Sequence, residues 1–205
     1  MNEERQRFYD NTRQFFGRTV WSHKTYEIER ESWACKACAV RWASIIFATA
    51  TLVLASVSSL DIVANKTLPW YAPAYLTIIV GAISFLVSLY QSIVNPEKQE
   101  ALMRQAAKDH LWIRDQLQLL LEATLNGEEL EELVDKRKRL LEARDMLHKW
   151  APDTSPSAYK KATKALKINE HLTLHDNEID SFLPASLQQK NKGDSKPNGS
   201  EVLIR

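Results

Sequence analysis

The side chains best placed to do chemistry in this sequence are polar ones set inside long apolar runs. Thr77, Gly81, Ser84, Ser88, Gln91 and Asn95 recur at steps of four, three, four, three and four. Ser44, Ala48, Thr51, Ala55 and Ser58 keep the same rhythm in an earlier run. A period of about 3.5 residues places each set on one face of a helix. Such a stripe has two physical uses in lipid. It can wet the wall of an oligomeric pore, with Gln91 and Asn95 at the cytoplasmic mouth. It can also let helices pack, because small and hydroxyl residues admit close approach. We assign pore lining to Thr77–Asn95 and packing to Ser44–Ser58; periodicity alone leaves both uses open for either set. No ionised residue lies in the middle of either run, which speaks against a proton relay or a charged coupling site.

Other reactive side chains carry weaker patterns. Cys35-Lys-Ala-Cys38 is a CxxC, but a redox pair normally opens a helix beside a sheet, and a zinc site needs a second ligand pair. Packing or incidental acylation suits these cysteines better. His171 and His175 are four apart, without the glutamate of a helical zinc motif; His23, His110 and His148 stand alone in the sequence. No nucleophile elbow, phosphate-binding glycine loop, dinucleotide fingerprint or compact acid pair occurs, so the expectation is a protein that is not an enzyme and has no metal or cofactor. The basic run Lys136 to Arg139 is interleaved with acids and reads as a solvated helix face, with no nucleic-acid partner. Globally, 27 Lys and Arg balance 26 Asp and Glu.

The elements that position these residues are helices. A mean hydropathy of −0.35 hides a sharp segregation of apolar residues between Trp42 and Val94. Trp42 to Leu60 has no charge, and its 19 residues make roughly 28 Å of helix, close to a hydrocarbon core. Thr67 to Asn95 is also uncharged and spans with some tilt. Only a short link with Asp61, Lys66 and Pro69 separates them, which makes an antiparallel hairpin. Trp42 at one end and Trp70 and Tyr71 at the other suit an interfacial belt. Asn65-Lys66-Thr67 matches a glycosylation acceptor but sits too near the membrane to be read as one. The first 30 residues contain no apolar core, so no cleaved signal peptide is expected.

Lys24, Arg30, Lys36 and Arg41 precede the first span, and Lys98, Arg104, Lys108 and Arg114 follow the second. The hairpin has only Lys66. Positive charge stays inside, so both termini are expected in the cytoplasm. Residues 3–41 read as one or two helices feeding the first span. Leu102, Ala106, Ile113, Leu117 and Leu120 mark the next helix, which ends at Asn126-Gly127. Leu130, Leu133, Val134, Leu140, Leu141 and Leu147 mark another, opening with Glu128 and Glu129 and stopped by Pro152. Shorter elements are expected near 157–168 and 178–183. The fold class is thus all-α: a two-helix transmembrane hairpin plus a cytoplasmic helical region. Its parts are an N-terminal helix (1–41), two spans (42–64 and 68–95), a helical region (97–183) and a disordered polar tail (184–205).

Upstream of the first span stands Trp21-Ser-His-Lys-Thr-Tyr-Glu-Ile-Glu-Arg30, with Lys24, Tyr26 and Glu27 as its Lys-x-Tyr-Glu core. With the layout of polar N-terminal helix, minimal hairpin and helical C-terminal half, this segment resembles the SLATT family over about residues 8–183. These are bacterial two-transmembrane effectors associated with nucleotide-synthesising (SMODS) and nucleotide-sensing (SLOG) proteins. The resemblance implies a homo-oligomeric pore in the bacterial inner membrane that breaks the barrier in response to a nucleotide signal, as in anti-phage defence. It also implies a nucleotide-synthesising or nucleotide-sensing partner, since no phosphate-cradling loop is present here. The competing expectation is a membrane-anchored helical scaffold or accessory subunit.

Overall fold

The computed structural model describes residues 2–64, 71–166 and 176–188. Every element among the described residues is helical. They are α1 (Glu3–Ala64), α2 (Tyr71–Val94), α3 (Pro96–Asn126), α4 (Leu130–Trp150), α5 (Pro156–Leu166) and α6 (Asp176–Phe182), then a 3-10 turn at Ala185–Leu187. The hairpin link 65–70, with Lys66, Pro69, Trp70 and the glycosylation-like tripeptide, lies outside the described residues. So do His171 and His175.

The N-terminal region forms a single helix that runs on into the first apolar segment. α1 has 62 residues, about 93 Å at 1.5 Å per residue. It holds no proline, and Gly17 is its only glycine. Several of its hydroxyl residues return the hydroxyl to the carbonyl four residues back, so they do not interrupt it. Thr12 donates to Phe8 O (2.8 Å), Thr19 to Phe15 O (2.9 Å) and Thr51 to Phe47 O (2.7 Å).

α2 ends and α3 begins at Asn95-Pro96. Asn95 takes a left-handed φ of 44°, a region that asparagine tolerates better than most residues. Proline at the first helical position needs no amide donor there, and the Asn95 side-chain oxygen accepts the Lys98 amide at 3.1 Å. Gly127, at φ 89°, turns α3 into α4. The α4 start falls two residues later than Glu128: Glu129 is the cap, and Glu131 and Glu132 occupy the first turn. Ser155 caps α5 through the Ala158 amide at 3.2 Å.

The chain divides into two units, residues 1–28 with 104–205, and residues 29–103. The first has a true core. Phe8, Phe15, Phe16 and Val20 of α1 fall at i, i+7, i+8 and i+12, on one face of the helix. They meet Ile113, Leu117, Leu120 and Leu121 of α3, and Leu133 and Leu140 of α4. Arg5 donates to the carbonyls of Thr124 (3.1 Å) and Glu128 (2.5 Å), fastening the α3–α4 turn. Residues 184–188, the start of the stretch expected to be disordered, are held here, and 189–205 lie outside the described residues. Leu187 is buried in this core and its carbonyl accepts Tyr9 Oη at 2.7 Å. A lone leucine in a polar stretch leaves no periodic signal, so only packing reveals it.

Candidate functional site

The second unit contains the two apolar segments. On α1 the half-buried positions are Val40, Ala43, Ser44, Phe47, Ala50, Thr51 and Leu54, and on α2 they are Thr77, Val80, Gly81, Ser84, Val87, Gln91 and Val94. Each series runs at helical spacing, so these two faces form the seam. The single Ser44 hydroxyl proton is shared between Val40 O of its own helix (2.9 Å) and Gln91 Oε1 across the seam (3.2 Å). At the end of the seam Arg41 holds Glu97 through Nε (3.2 Å) and a terminal nitrogen (2.6 Å). A shallow apolar groove of about 380 Å³ runs along it between Ala39, Val40 and Ala43 and Ile83, Leu86, Val87 and Tyr90.

The structure therefore distributes the stripe residues unevenly. Ser44 and Thr51 lie in the seam, whereas Ala48 and Ala55 face outward. Ser58 lies on α1, and its side chain falls outside the described residues. Thr77, Gly81, Ser84 and Gln91 lie half-buried on the seam side, and Ser88 is exposed. Asn95 is the cap between two helices, with its carbonyl group engaged by Lys98. A methyl group built at Gly81 would meet nothing within 4 Å, so Gly81 marks open space rather than close helix contact.

Around this seam the apolar side chains point outward. Leu52 is 69% exposed, Phe85 67% and Ile93 73%. The most apolar stretch of α1 is 6% buried and that of α2 0% buried. A soluble core helix of the same composition would bury these side chains, so this surface is matched to lipid. Two helices long and apolar enough to cross a membrane, exposed over their apolar lengths, are the arrangement of a membrane protein.

The model of SMODS and SLOG-associating 2TM effector domain family 4 matches residues 8–178. The chain belongs to the SLATT family. No curated protein and no solved structure matches it.

The Lys-x-Tyr-Glu motif of this SLATT chain has a visible packing role. Lys24 Nζ pairs with Glu27 at 2.8 Å, partly exposed. Tyr26 is buried; its hydroxyl donates to Pro152 O at 3.2 Å, and its ring stacks on His110 at 5.2 Å between centroids. Burial, with Asp153 nearby, raises the Tyr26 pKa. His110 is 1% exposed, and neither ring nitrogen has a hydrogen-bond partner. The sequence offered no sign of this pairing, since His110 is an isolated histidine there. Its only local signal is its place in the Ala106–Ile113 stripe of α3.

Cys35 and Cys38 are both exposed on α1, so neither packs within this chain. Among the described residues no group of three or more His, Cys, Asp or Glu side chains gathers as a metal site would require. The C-terminal segment adds an ion pair that sequence reasoning missed: Arg13 and Asp180, with side chains 1% and 6% exposed, pair inside the first unit. The partners are 167 residues apart, beyond any local pattern. A wider cleft of about 530 Å³ lies between α3 and α4, lined by Trp112, Gln116, Leu119, Lys136 and Arg139 among others.

Proposed function

We propose that this SLATT chain is a pore-forming effector. Copies assemble in the membrane with both termini in the cytoplasm, and the assembly opens a water-filled path when a nucleotide signal is raised in a conflict system such as anti-phage defence. The observation that carries this reading is the pair of spans with its polar seam, Ser44 to Gln91, against an otherwise apolar exterior. Opening the seam would present Thr77, Ser84, Gln91 and the exposed Ser88 to a path shared between copies. The positive charges flanking both spans favour the cytoplasmic side, and Arg41 with Glu97 closes the seam next to it. Sensing is assigned to a nucleotide-synthesising or nucleotide-sensing partner, because the chain lacks a phosphate-cradling loop.

The test is membrane potential in bacteria overproducing the chain, with the partner genes present. Wild type depolarises the cells, and Ser84→Leu with Ser88→Leu lowers the ion flux at equal expression. Unchanged flux in the double mutant removes the assignment of this stripe to the pore.

A second reading, a membrane-anchored scaffold, draws on the α3–α4 cleft, where Trp112 and Leu119 are 53% and 57% exposed. On that reading an unrelated two-helix hairpin replaces α1–α2 without loss of activity. A chimera that folds and reaches the membrane yet is inactive excludes it.

A further inference from the structure

His110 is an anomaly within the first unit. Buried polar groups are normally satisfied, and an orphaned one calls for an explanation. This imidazole has neither ring nitrogen bonded, sits at 1% exposure, and is enclosed by three helices. From α1, Tyr26 stacks on it, and His23 lies close by with its own Nδ1 engaged at Ala107 O, 3.0 Å away. From α4, His148 meets it edge-on at 5.9 Å, and Arg144 adds a positive charge. The segment after α4 contributes Asp153, whose charge acts on Tyr26 and is not among those acting on His110. A proton arriving on this ring would therefore find basic neighbours and no side-chain or backbone acceptor bonded to it.

We propose that the seam of α1, α3 and α4 around His110 is an acid-triggered release point. It holds while that ring is neutral and opens when the ring gains a proton. Burial first, then His148, His23 and Arg144, lower the His110 pKa from 6.5 to about 4. The sign follows from linkage. A base whose pKa is depressed in the closed form favours that form above its free value. The advantage is lost as pH falls from 6.5 towards 4. A state that lets His110 reach water takes up the proton at its ordinary pKa, so the ratio of released to closed molecules rises by about 30-fold between pH 7.5 and 5.0. The motif tyrosine gains a second role here, because Tyr26 forms one wall of the seam. α1 carries both this seam and the first span on one helix. On the pore reading, which this link to gating requires, release favours opening.

The experiment is hydrogen–deuterium exchange on the full chain in lipid nanodiscs at pH 7.5 and 5.0, corrected for the intrinsic rate. Opening constants for amides near residues 20–27 and 107–114 rise about 30-fold in wild type and stay flat in His110→Phe, which keeps a stacked ring without a titrating nitrogen. His148→Gln retains the rise. An equal rise in His110→Phe, or none in wild type, overturns the proposal. Should the Phe variant fold poorly, imidazole titration of wild type by NMR decides. His110 stays neutral at pH 5.5 in the closed form, and a midpoint near 6.5 in that form overturns the proposal. Dye leakage from vesicles at the same two pH values separates the switch from the pore. Exchange that responds to acid without leakage keeps the release point and removes its link to gating.

Discussion

The two units of this chain use the same amino acids in opposite ways. In the first, the apolar stripes of α1, α3 and α4 turn inward: Leu117, Leu121 and Leu133 are fully buried. In the second, apolar faces of α1 and α2 turn outward, and the seam between them mixes serine, threonine, glycine and glutamine with valine, alanine, phenylalanine and leucine. α1 takes part in both, so one helix changes its burial pattern along its length. The difference teaches that the surrounding solvent sets the pattern. Water drives leucines together and leaves polar groups outside. Lipid gives leucines no reason to hide, and polar groups become the adhesive between helices.

Substitutions can break this contrast, and the largest effect belongs in the water-facing unit. Arg13→Ala leaves Asp180 buried without its cation and costs about 3–5 kcal/mol. Arg13→Met with Asp180→Leu costs far less, because no charge is then stranded. Denaturant titration in mild detergent, followed by limited proteolysis, measures both. A single mutant as stable as the double would show that the pair does not matter.

Next comes a matched pair of leucines. Leu117→Ala lowers stability by about 2–5 kcal/mol, since the cavity lies in a packed core. Leu52→Ala, on the outward face of α1, changes it by no more than about 0.5 kcal/mol. Equal losses in the same assay would mean that Leu52 is covered by another chain rather than by lipid.

Smaller effects mark the joins. Asn95→Ala removes the α3 cap and places a poorly suited residue at positive φ, for about 1–2 kcal/mol. Asn95→Gly loses less, because glycine accepts that backbone. Helix content by circular dichroism through a thermal ramp reads the ordering of the two variants. Smallest is Ser44→Ala, worth about 0.6 kcal/mol for a polar contact in lipid. A loss above about 2 kcal/mol would make the Ser44–Gln91 bond the main clasp of the hairpin, beyond the range such bonds show.

Much of the fold was legible in advance, for reasons that can be named. The apolar runs are uncharged and as long as a membrane span, so the spans could be read from length and composition. Asn126-Gly127, Pro152 and Ser155-Pro156 are local chemistry, and the helices break or start at those residues. What misled was also local. Glu128 and Glu129 read as a first turn because acids favour helix starts, yet the helix begins just after them. The polar tail concealed Leu187, whose role depends on Tyr9 at the other end of the chain. Asn95 fitted a polar stripe by its spacing, but the proline that follows it makes it a cap.

By itself, then, the sequence determined that the chain is helical, where the two apolar spans lie and most of the breaks between helices, because period, length and turn residues are properties of neighbouring positions. Which side chains meet was decided only by the tertiary structure: Ser44 with Gln91, Tyr26 with His110, Arg13 with Asp180 and Tyr9 with Leu187. Those partners lie far apart along the chain, and a contact of that kind leaves no periodic trace until packing has brought the helices together.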